Sequence, residues 1–410
     1  MLNNYKSKKL NLCRICKGKN LINILDFGNT PLGNDLQRNK RKKVLTFKLS
    51  LNRCKNCKHF QLSHSVNPKL LYAKNYTYLS GISDSFLKHF QDYSKWIINK
   101  IKLKKNDLVV DVGSNDGSCL SFFKRNGCRV IGVDPASEPV KIAMQNKILS
   151  YNNFFNKNIV NKIIRKEGYA SLITSHNVFA HIEDFDEVIK SAYILLKEKG
   201  FLCFEVGYVE NVIKNNHFDT IYHEHLDYHQ ASPIKFFLNK FGFSVISFYF
   251  NKIQGGSIRV LAKKDNKIKN SVYVERYCKE EGLSKYMSNK NLKTWQYNIN
   301  IFITNLRKDI HKYKKLGYII AAYGAPTKAS LILKLIGDSK KYIQFCIDDN
   351  KLKQDKYFPN TNIRINSPLI LDKYKNKKIA FILFAWNFHF DISKKIKKYK
   401  IKQFVLFPHV

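Results

Sequence analysis

The chain has 410 residues, 44% of them hydrophobic, enough for two or three domains that each bury a core, which excludes a disordered protein. It carries 72 basic against 31 acidic residues, a formal charge of +41. The excess is a general lysine bias without an Arg-rich face, so it favours a phosphate-bearing small substrate over a nucleic-acid partner.

The opening MLNNYKSKKLNLC is basic but has no apolar core, so no secretory signal is expected. No apolar window is long enough to span a bilayer, so no membrane partner is expected either. An odd number of cysteines in a long chain points to a reducing, cytoplasmic setting in which some thiols bind metal.

Residues 1–65 contain Cys13-Arg-Ile-Cys16 and Cys54-Lys-Asn-Cys57. Each CxxC turn aims two thiolates at one ion, and two such turns complete a closed, structural, tetrahedral zinc site. The residues between the knuckles, Leu21–Leu51, are read as a hairpin, and His59 and His64 as surface residues. Residues 69–85 are a Tyr- and Ser-rich connector in which Tyr76 and Tyr78 either pack or line a pocket. Phe86, Phe90, Tyr93 and Ile97 recur at helical spacing over 86–103.

Next comes a strand, Leu108–Val112, a small-residue turn, Gly113-Ser-Asn-Asp-Gly117, a helix over Cys119–Arg125, and a second strand ending in Asp134. Such a turn lets a ligand approach the backbone at a parallel strand's carboxyl end, and the acid is placed for ribose hydroxyls. The turn is not GxGxxG. Asp111-x-Gly-x-Asn-Asp-Gly resembles motif I of class I S-adenosylmethionine (SAM) methyltransferases, and a carboxylate there suits a cationic cofactor and repels a pyrophosphate. Further strands are read near 147–155, over Ser171–His176 and over Gly200–Val206, with Asn177, His181 and Glu205 at their carboxyl edges.

On the loop after the Glu205 strand, Thr220–Asp227 packs Tyr222, His223, Glu224, His225 and Asp227 together. The cluster suits acid–base chemistry, a metal or a solvated loop. His-Glu-His lacks the i,i+4 histidines of a zinc protease, and adjacent residues point apart, which counts against the metal. Residues 243–250 and 257–263 read as a closing strand pair with Gly255-Gly256 at the turn. A long helical segment then leads to a second α/β unit, in which Tyr318–Tyr323 is a strand and Gly324 and Lys328 fit a phosphate contact.

Taken together, the zinc knuckles, Tyr76-Thr-Tyr78-Leu-Ser80-Gly81, Asp111–Gly117, Asn177–His181, Phe218–His225, Gly255-Gly256-Ser257 and Tyr323–Lys328 resemble the sugar C-methyltransferases that act on nucleotide-linked 4-keto deoxysugars. The resemblance spans nearly the whole chain. It implies an N-terminal zinc-binding domain (1–70), a central class I Rossmann-like SAM methyltransferase domain (71–265) and a C-terminal Rossmann-like domain (266–410). Near the second C-terminal strand the family tends to have glycines where this chain has Asp355 and Asn360.

By that resemblance the chemistry runs through an enolate. His225 is the expected base, having an ordinary pKa near 6.5, with Tyr222 and Glu224 in support and His223 structural. Asp111, Gly113, Ser114, Asn115, Gly117, Asp134 and Asn177 would hold SAM. Tyr76, Tyr78, His181, Gly255, Gly256 and Lys328 would contact the nucleotide sugar. The zinc on Cys13, Cys16, Cys54 and Cys57 would be structural, and the chain a monomer. Two other readings stay open at this point: an O- or N-methyltransferase on the same scaffold, and an RNA-binding zinc-ribbon methyltransferase.

Overall fold

The computed structural model describes residues 6–39, 44–72, 79–82, 84–265, 267–397, 399 and 402–406. Tyr76 and Tyr78 lie outside them. Three larger sheets organise the described residues, beside a two-stranded pair of Ser7–Lys9 with His64–Val66. In the first, Leu21–Pro31 and Thr46–Cys54 form the expected antiparallel hairpin, and Phe60–Leu62 pairs with Thr46–Cys54. A fourth strand comes from far along the chain: Asp227–Tyr228, the end of the His-rich stretch, pairs with Phe60–Leu62 at the sheet edge. The zinc-bearing unit is therefore stitched by backbone to the loop that carries His225.

This pairing corrects the reading of His59 as a surface residue. Its side chain is fully buried and its Nε2 lies 2.8 Å from Asp227 Oδ1. The carboxylate gives the ring a partner, which makes burying a polar group affordable.

The central sheet has seven strands in the order 243–251, 257–264, 196–207, 170–176, 108–112, 129–134, 150–152. The pairs formed by 257–264 are antiparallel and the others parallel. The chain winds outward from Leu108–Val112, then crosses back to Ala170–His176. The crevice at that reversal is where ligands of such sheets sit, and Asp111 and Asn177 flank it. The strands read as apolar runs because both faces are covered. On one face lies helix Asp84–Ile101, burying Phe86, Phe90, Tyr93 and Ile97 as the spacing predicts.

The C-terminal sheet has five parallel strands in the order 364–366, 343–347, 319–323, 378–383, 402–406, with a second order reversal beside Tyr323. The 27-residue helix Asn289–Lys315 lays Leu292, Trp295, Ile299, Ile303, Leu306 and Ile310 against it. The same stripe shares a core with Leu25, Leu49 and Leu51 of the zinc-side hairpin, so this helix holds the first and last units together. Asp355 and Asn360 have φ of 63° and 56°. Asp and Asn tolerate this left-handed region better than most residues. Among the described residues no helix is long and apolar enough to cross a membrane.

Candidate active site

The cofactor side is built on the Leu108–Val112 strand and its turn. Gly113 has φ of 72°, and a Cβ there would stand 2.2 Å from Val178 Cγ2, so only glycine lets the turn pass under the 177–181 loop. Asn115, at φ 51°, donates its backbone N–H to Asp134 Oδ2 at 2.9 Å, and Ala136 N donates to Oδ1 at 2.8 Å. Asn115 Oδ1 accepts from Ser80 N at 2.9 Å, and Asp116 Oδ2 accepts from Gly81 N at 2.8 Å. The turn thus holds the Ser80-Gly81 segment over itself. Gly117 leads into helix Ser118–Arg125 with φ of 77°.

Two buried polar atoms at this edge, Asp111 Oδ1 and Ser114 Oγ, have no hydrogen-bond partner. Burial and then Asp134 push the Asp111 carboxyl well above its ordinary range. A buried acid beside another acid, with a free oxygen, is a receptor for a cation. A cationic group such as an ammonium fits the chemistry of such a receptor. Asp134 keeps lone pairs for ribose hydroxyls beyond the two it gives the backbone. Asn177, at φ 56°, donates its N–H to Glu205 O at 2.7 Å, which fixes the start of the loop that carries His181.

In the Thr220–Asp227 stretch Ile221, His223, Glu224, Leu226 and Asp227 are buried, while Thr220, Tyr222 and His225 are half-buried. His225 Nδ1 lies 3.0 Å from the Thr220 carbonyl and its Nε2 2.8 Å from Tyr222 Oη. A carbonyl can only accept, so Nδ1 carries the proton and Nε2 presents a bare lone pair that receives the Tyr222 hydroxyl. The His181 ring lies 4.7 Å from that of His225, centroid to centroid, at 69°. Burial, and then the neighbouring His181, drive the His225 pKa well below 6.5, and burial takes His181 to about 4. Both rings are neutral at physiological pH. His223 turns away, with Nε2 3.1 Å from Phe47 O and 3.4 Å from Thr30 Oγ1.

Glu224 points to a junction of all three units. Asn34 Nδ2 of the zinc-side loop donates to Glu224 Oε1 at 2.7 Å, and Thr327 Oγ1 of the C-terminal unit donates to Asn34 Oδ1 at 2.9 Å. The approach is close: a Cβ on Gly33 would stand 2.0 Å from Thr327 O. Burial raises the Glu224 carboxyl to about 8, against the lowering effects of Asn34 and Lys353. At neutral pH it is mostly a protonated acid, able to donate a hydrogen bond.

Lys328 is buried at the same junction. Its Nζ lies 3.6 Å from Asp219 Oδ2, 3.5 Å from Asn387 Oδ1 and 3.8 Å from the centre of the Trp386 ring. Trp386 donates to Asp219 Oδ2 at 2.7 Å and stacks on His217 at 4.3 Å. Burial lowers Lys328 to about 8 despite Asp219. Gly255 meets this cluster: a side chain there would strike His217 and Trp386, and one on Gly256 would strike Asn211.

Glu205 lies at the carboxyl edge beside His176. Its Oε1 is 2.8 Å from His89 Nε2, and its Oε2 accepts from Asn251 at 2.9 Å and Arg259 Nε at 3.0 Å. Burial raises its pKa, but the His89 bond and Arg259 outweigh that and hold it at about 2. His89, His176 and Glu205 have metal-ligand character and lie within 4.8 Å of one another. Glu205, with His89, Arg259 and Asn251 on its two oxygens, forms a buried network that ties helix Asp84–Ile101 to the sheet.

The four zinc-knuckle cysteines converge with Sγ pairs Cys13–Cys57 at 3.5 Å and Cys16–Cys54 at 3.6 Å. A tetrahedral zinc with bonds of about 2.3 Å sets sulfurs about 3.8 Å apart, so the thiols fit the ion. The sequence did not single out Asn34, Arg14 and Trp386 as site residues, and assigned no role to Asp116 and Asp219 although they lie inside the Asp111–Gly117 and Phe218–His225 motifs. Trp386 follows directly on a C-terminal sheet strand, and the carboxyl-edge rule flags that place. Asn34 carries no local signal.

Three family models match the chain in succession: a zinc binding domain over 13–72, a methyltransferase domain over 86–248 and a C-methyltransferase C-terminal domain over 252–407. C-methyltransferase NovU of Streptomyces niveus is 29% identical over 394 residues, covering 94% of this chain and 92% of that protein. A release factor glutamine methyltransferase of Fusobacterium nucleatum is 27% identical over 146 residues, covering 27% of this chain and 41% of that protein. Among solved structures, an S-adenosylmethionine-dependent methyltransferase from Clostridium acetobutylicum aligns at 14% identity over 44% of this chain and 92% of its own, with a TM-score of 0.37. Magnesium protoporphyrin IX methyltransferase from Synechocystis with bound SAM aligns at 16% identity over 44% and 79%, with a TM-score of 0.34. The chain is a SAM-dependent methyltransferase in which regions matching a zinc-binding domain, a methyltransferase domain and a C-methyltransferase C-terminal domain follow one another, and it is similar over nearly its whole length to a C-methyltransferase.

Proposed function

We propose that this protein methylates a carbon beside the ketone of a nucleotide-diphospho-4-keto deoxysugar, through an enolate, in deoxysugar or surface-polysaccharide biosynthesis. The observation that carries the reading is the His225–Tyr222 pair, in which Nδ1 faces the Thr220 carbonyl and Nε2 faces the phenol, with Glu224 in the same stretch. Carbon becomes a nucleophile only after losing a proton, and a base and an acid in one stretch match that need. Methylation of oxygen or nitrogen does not call for a carbon base.

In the proposed reaction the substrate C–H proton passes to the Tyr222 oxygen as the phenol proton passes to His225 Nε2. The C–H electron pair becomes the enolate π bond and the ketone oxygen takes the charge. Glu224, as a neutral acid, donates to that oxygen. When bound, SAM would supply the electrophilic methyl group for the enolate carbon and would leave as the neutral thioether. Asp111 and Asp134, with the backbone of Gly113–Gly117 and Asn177, are the proposed cofactor contacts. Lys328 is the proposed cation for the diphosphate, with His181 beside the sugar and Gly255-Gly256 shaping the same junction. The protein is proposed to work in the cytoplasm as a monomer, without nucleic acid.

The test is incubation with SAM and a panel of nucleotide 4-keto sugars in deuterated water, read by mass spectrometry. The expected outcome is methyl gain on carbon, with C–H exchange that His225→Gln abolishes. Methyl gain on oxygen or nitrogen, or exchange unchanged in that variant, would overturn the enolate.

A further inference from the structure

Arg14 lies between the two cysteines of the first zinc knuckle, and its side chain leaves the zinc unit altogether. Nε donates to both Asp227 oxygens, at 2.9 and 3.0 Å. One terminal nitrogen donates to the Glu183 carbonyl at 3.0 Å and the other to the Ile182 carbonyl. The ion pair is nearly closed to solvent, with 8% exposure on the Arg14 side chain and 0% on Asp227. Asp227 stands two residues after His225, and Ile182 directly follows His181. One guanidinium therefore grips both loops whose histidine rings stand 4.7 Å apart.

The backbone joins the same three segments from the other side. Leu62 N donates to Leu226 O at 2.9 Å, and Leu226 N donates to Ala180 O at 2.7 Å. The knuckle itself is seated on this strand, since Arg14 N donates to Gln61 Oε1 at 2.8 Å and Gln61 Nε2 donates to Leu12 O at 3.1 Å. The planar fork of arginine suits this load, because it serves a carboxylate and two carbonyls in fixed directions. A lysine ammonium is a point charge and cannot span them.

We propose that Arg14 is a positioning residue: the zinc knuckle uses it to clamp the His181 and His225 loops in register, so the metal sets the geometry of the reactive loops without touching them. The proposal rests on the reading of those loops as reactive. Holding reacting groups to a fraction of an ångström is worth about 100-fold in rate.

The test compares wild type, Arg14→Lys, Arg14→Met and Asp227→Asn as zinc-loaded full-length proteins. Hydrogen–deuterium exchange of peptides covering 178–184 and 221–228 reads the clamp with no substrate present, so it stands apart from the question of substrate. Zinc content and SAM affinity are measured alongside, and kcat and KM on whichever keto sugar is turned over. The expected result is one zinc per chain and SAM affinity within a few-fold of wild type in Arg14→Lys. Both peptides lose protection together, and kcat falls about 10–100-fold with little change in KM. Unchanged protection of either loop in Arg14→Met and Arg14→Lys would overturn the proposal. Joint loss of zinc and SAM binding in Arg14→Lys would also overturn it, by assigning the residue to general folding.

Discussion

Glu224→Gln tests the electrostatics of the site directly. Burial holds the Glu224 carboxyl at about 8, where an ordinary one titrates at 4.5. The folded protein therefore keeps a proton that the unfolded chain releases as pH rises from 4.5 towards 8. A folded state that binds more protons loses stability as pH rises, here by about 1.4 kcal/mol per pH unit within that window. Glutamine mimics the neutral acid in shape, still accepts from Asn34 and can still donate, so it removes the titration and keeps the contacts. Relative to Glu224→Gln, the wild type should lose about 2–3 kcal/mol between pH 5 and pH 7. Thermal melts of both proteins at pH 5, 6, 7 and 8 read this as a melting-temperature gap widening by several degrees. Activity should survive in Glu224→Gln and fall in Glu224→Ala, which leaves the Asn34 amide unsatisfied. A gap that stays constant with pH would mean that Glu224 is ionised throughout, and the neutral-donor role would be lost with it.

Burial and Asp134 raise the Asp111 carboxyl, and an arriving cationic cofactor should lower it again, so SAM binding should be coupled to proton release. Calorimetry in buffers of different ionisation enthalpy reads that release, and Asp111→Asn should abolish it while weakening SAM about 10–100-fold. The His225 pKa is driven below 6.5, so the acid limb of kcat/KM should fall below pH 6.5; a limb at or above that value would refute the buried neutral base. Tyr222→Phe should cut substrate C–H exchange about 100-fold or more with SAM affinity unchanged, as titrated by fluorescence. Cys54→Ser should abolish zinc uptake, measured by elemental analysis, and expose the 226–228 strand to proteolysis, because its partner strand Phe60–Leu62 follows the knuckle.

The junction at Asn34 explains why one site needs three units. Its amide bridges Glu224 and Thr327 by opposite ends, donating to the first and accepting from the second. Asn34→Asp would place a second carboxyl against Glu224, whereas Asn34→Ala would leave Thr327 and Glu224 each short of a partner. Lys328, Asp219 and Trp386 close the same junction from the C-terminal side. Glu224 and Lys328 are therefore perturbed by burial where the C-terminal unit docks.

Local patterns in the sequence were enough for the elements and two of the centres. The helix over Phe86–Ile97 follows from a period near 3.6, and the strands from apolar runs that end at turns. The zinc tetrad follows from doubled CxxC spacing, because two tight turns already aim their thiolates. The turn at Asp111–Gly117 is legible because strand, turn and helix are consecutive, so the cradle is built from neighbours. What only the tertiary structure decided depends on residues far apart in the chain. His59 reads as exposed until Asp227 reaches it across the sheet edge. Arg14 reads as filler between cysteines until two remote loops converge on its guanidinium. Asn34 has no signature at all, since an amide gains meaning only from the groups that face it. The protonation states belong to this second kind. Sequence supplies His225 with an ordinary pKa and Glu224 with an ordinary carboxyl. Burial lowers one and raises the other, because desolvation acts against whichever form carries charge. How deeply a group is buried is fixed only when the three units close over it.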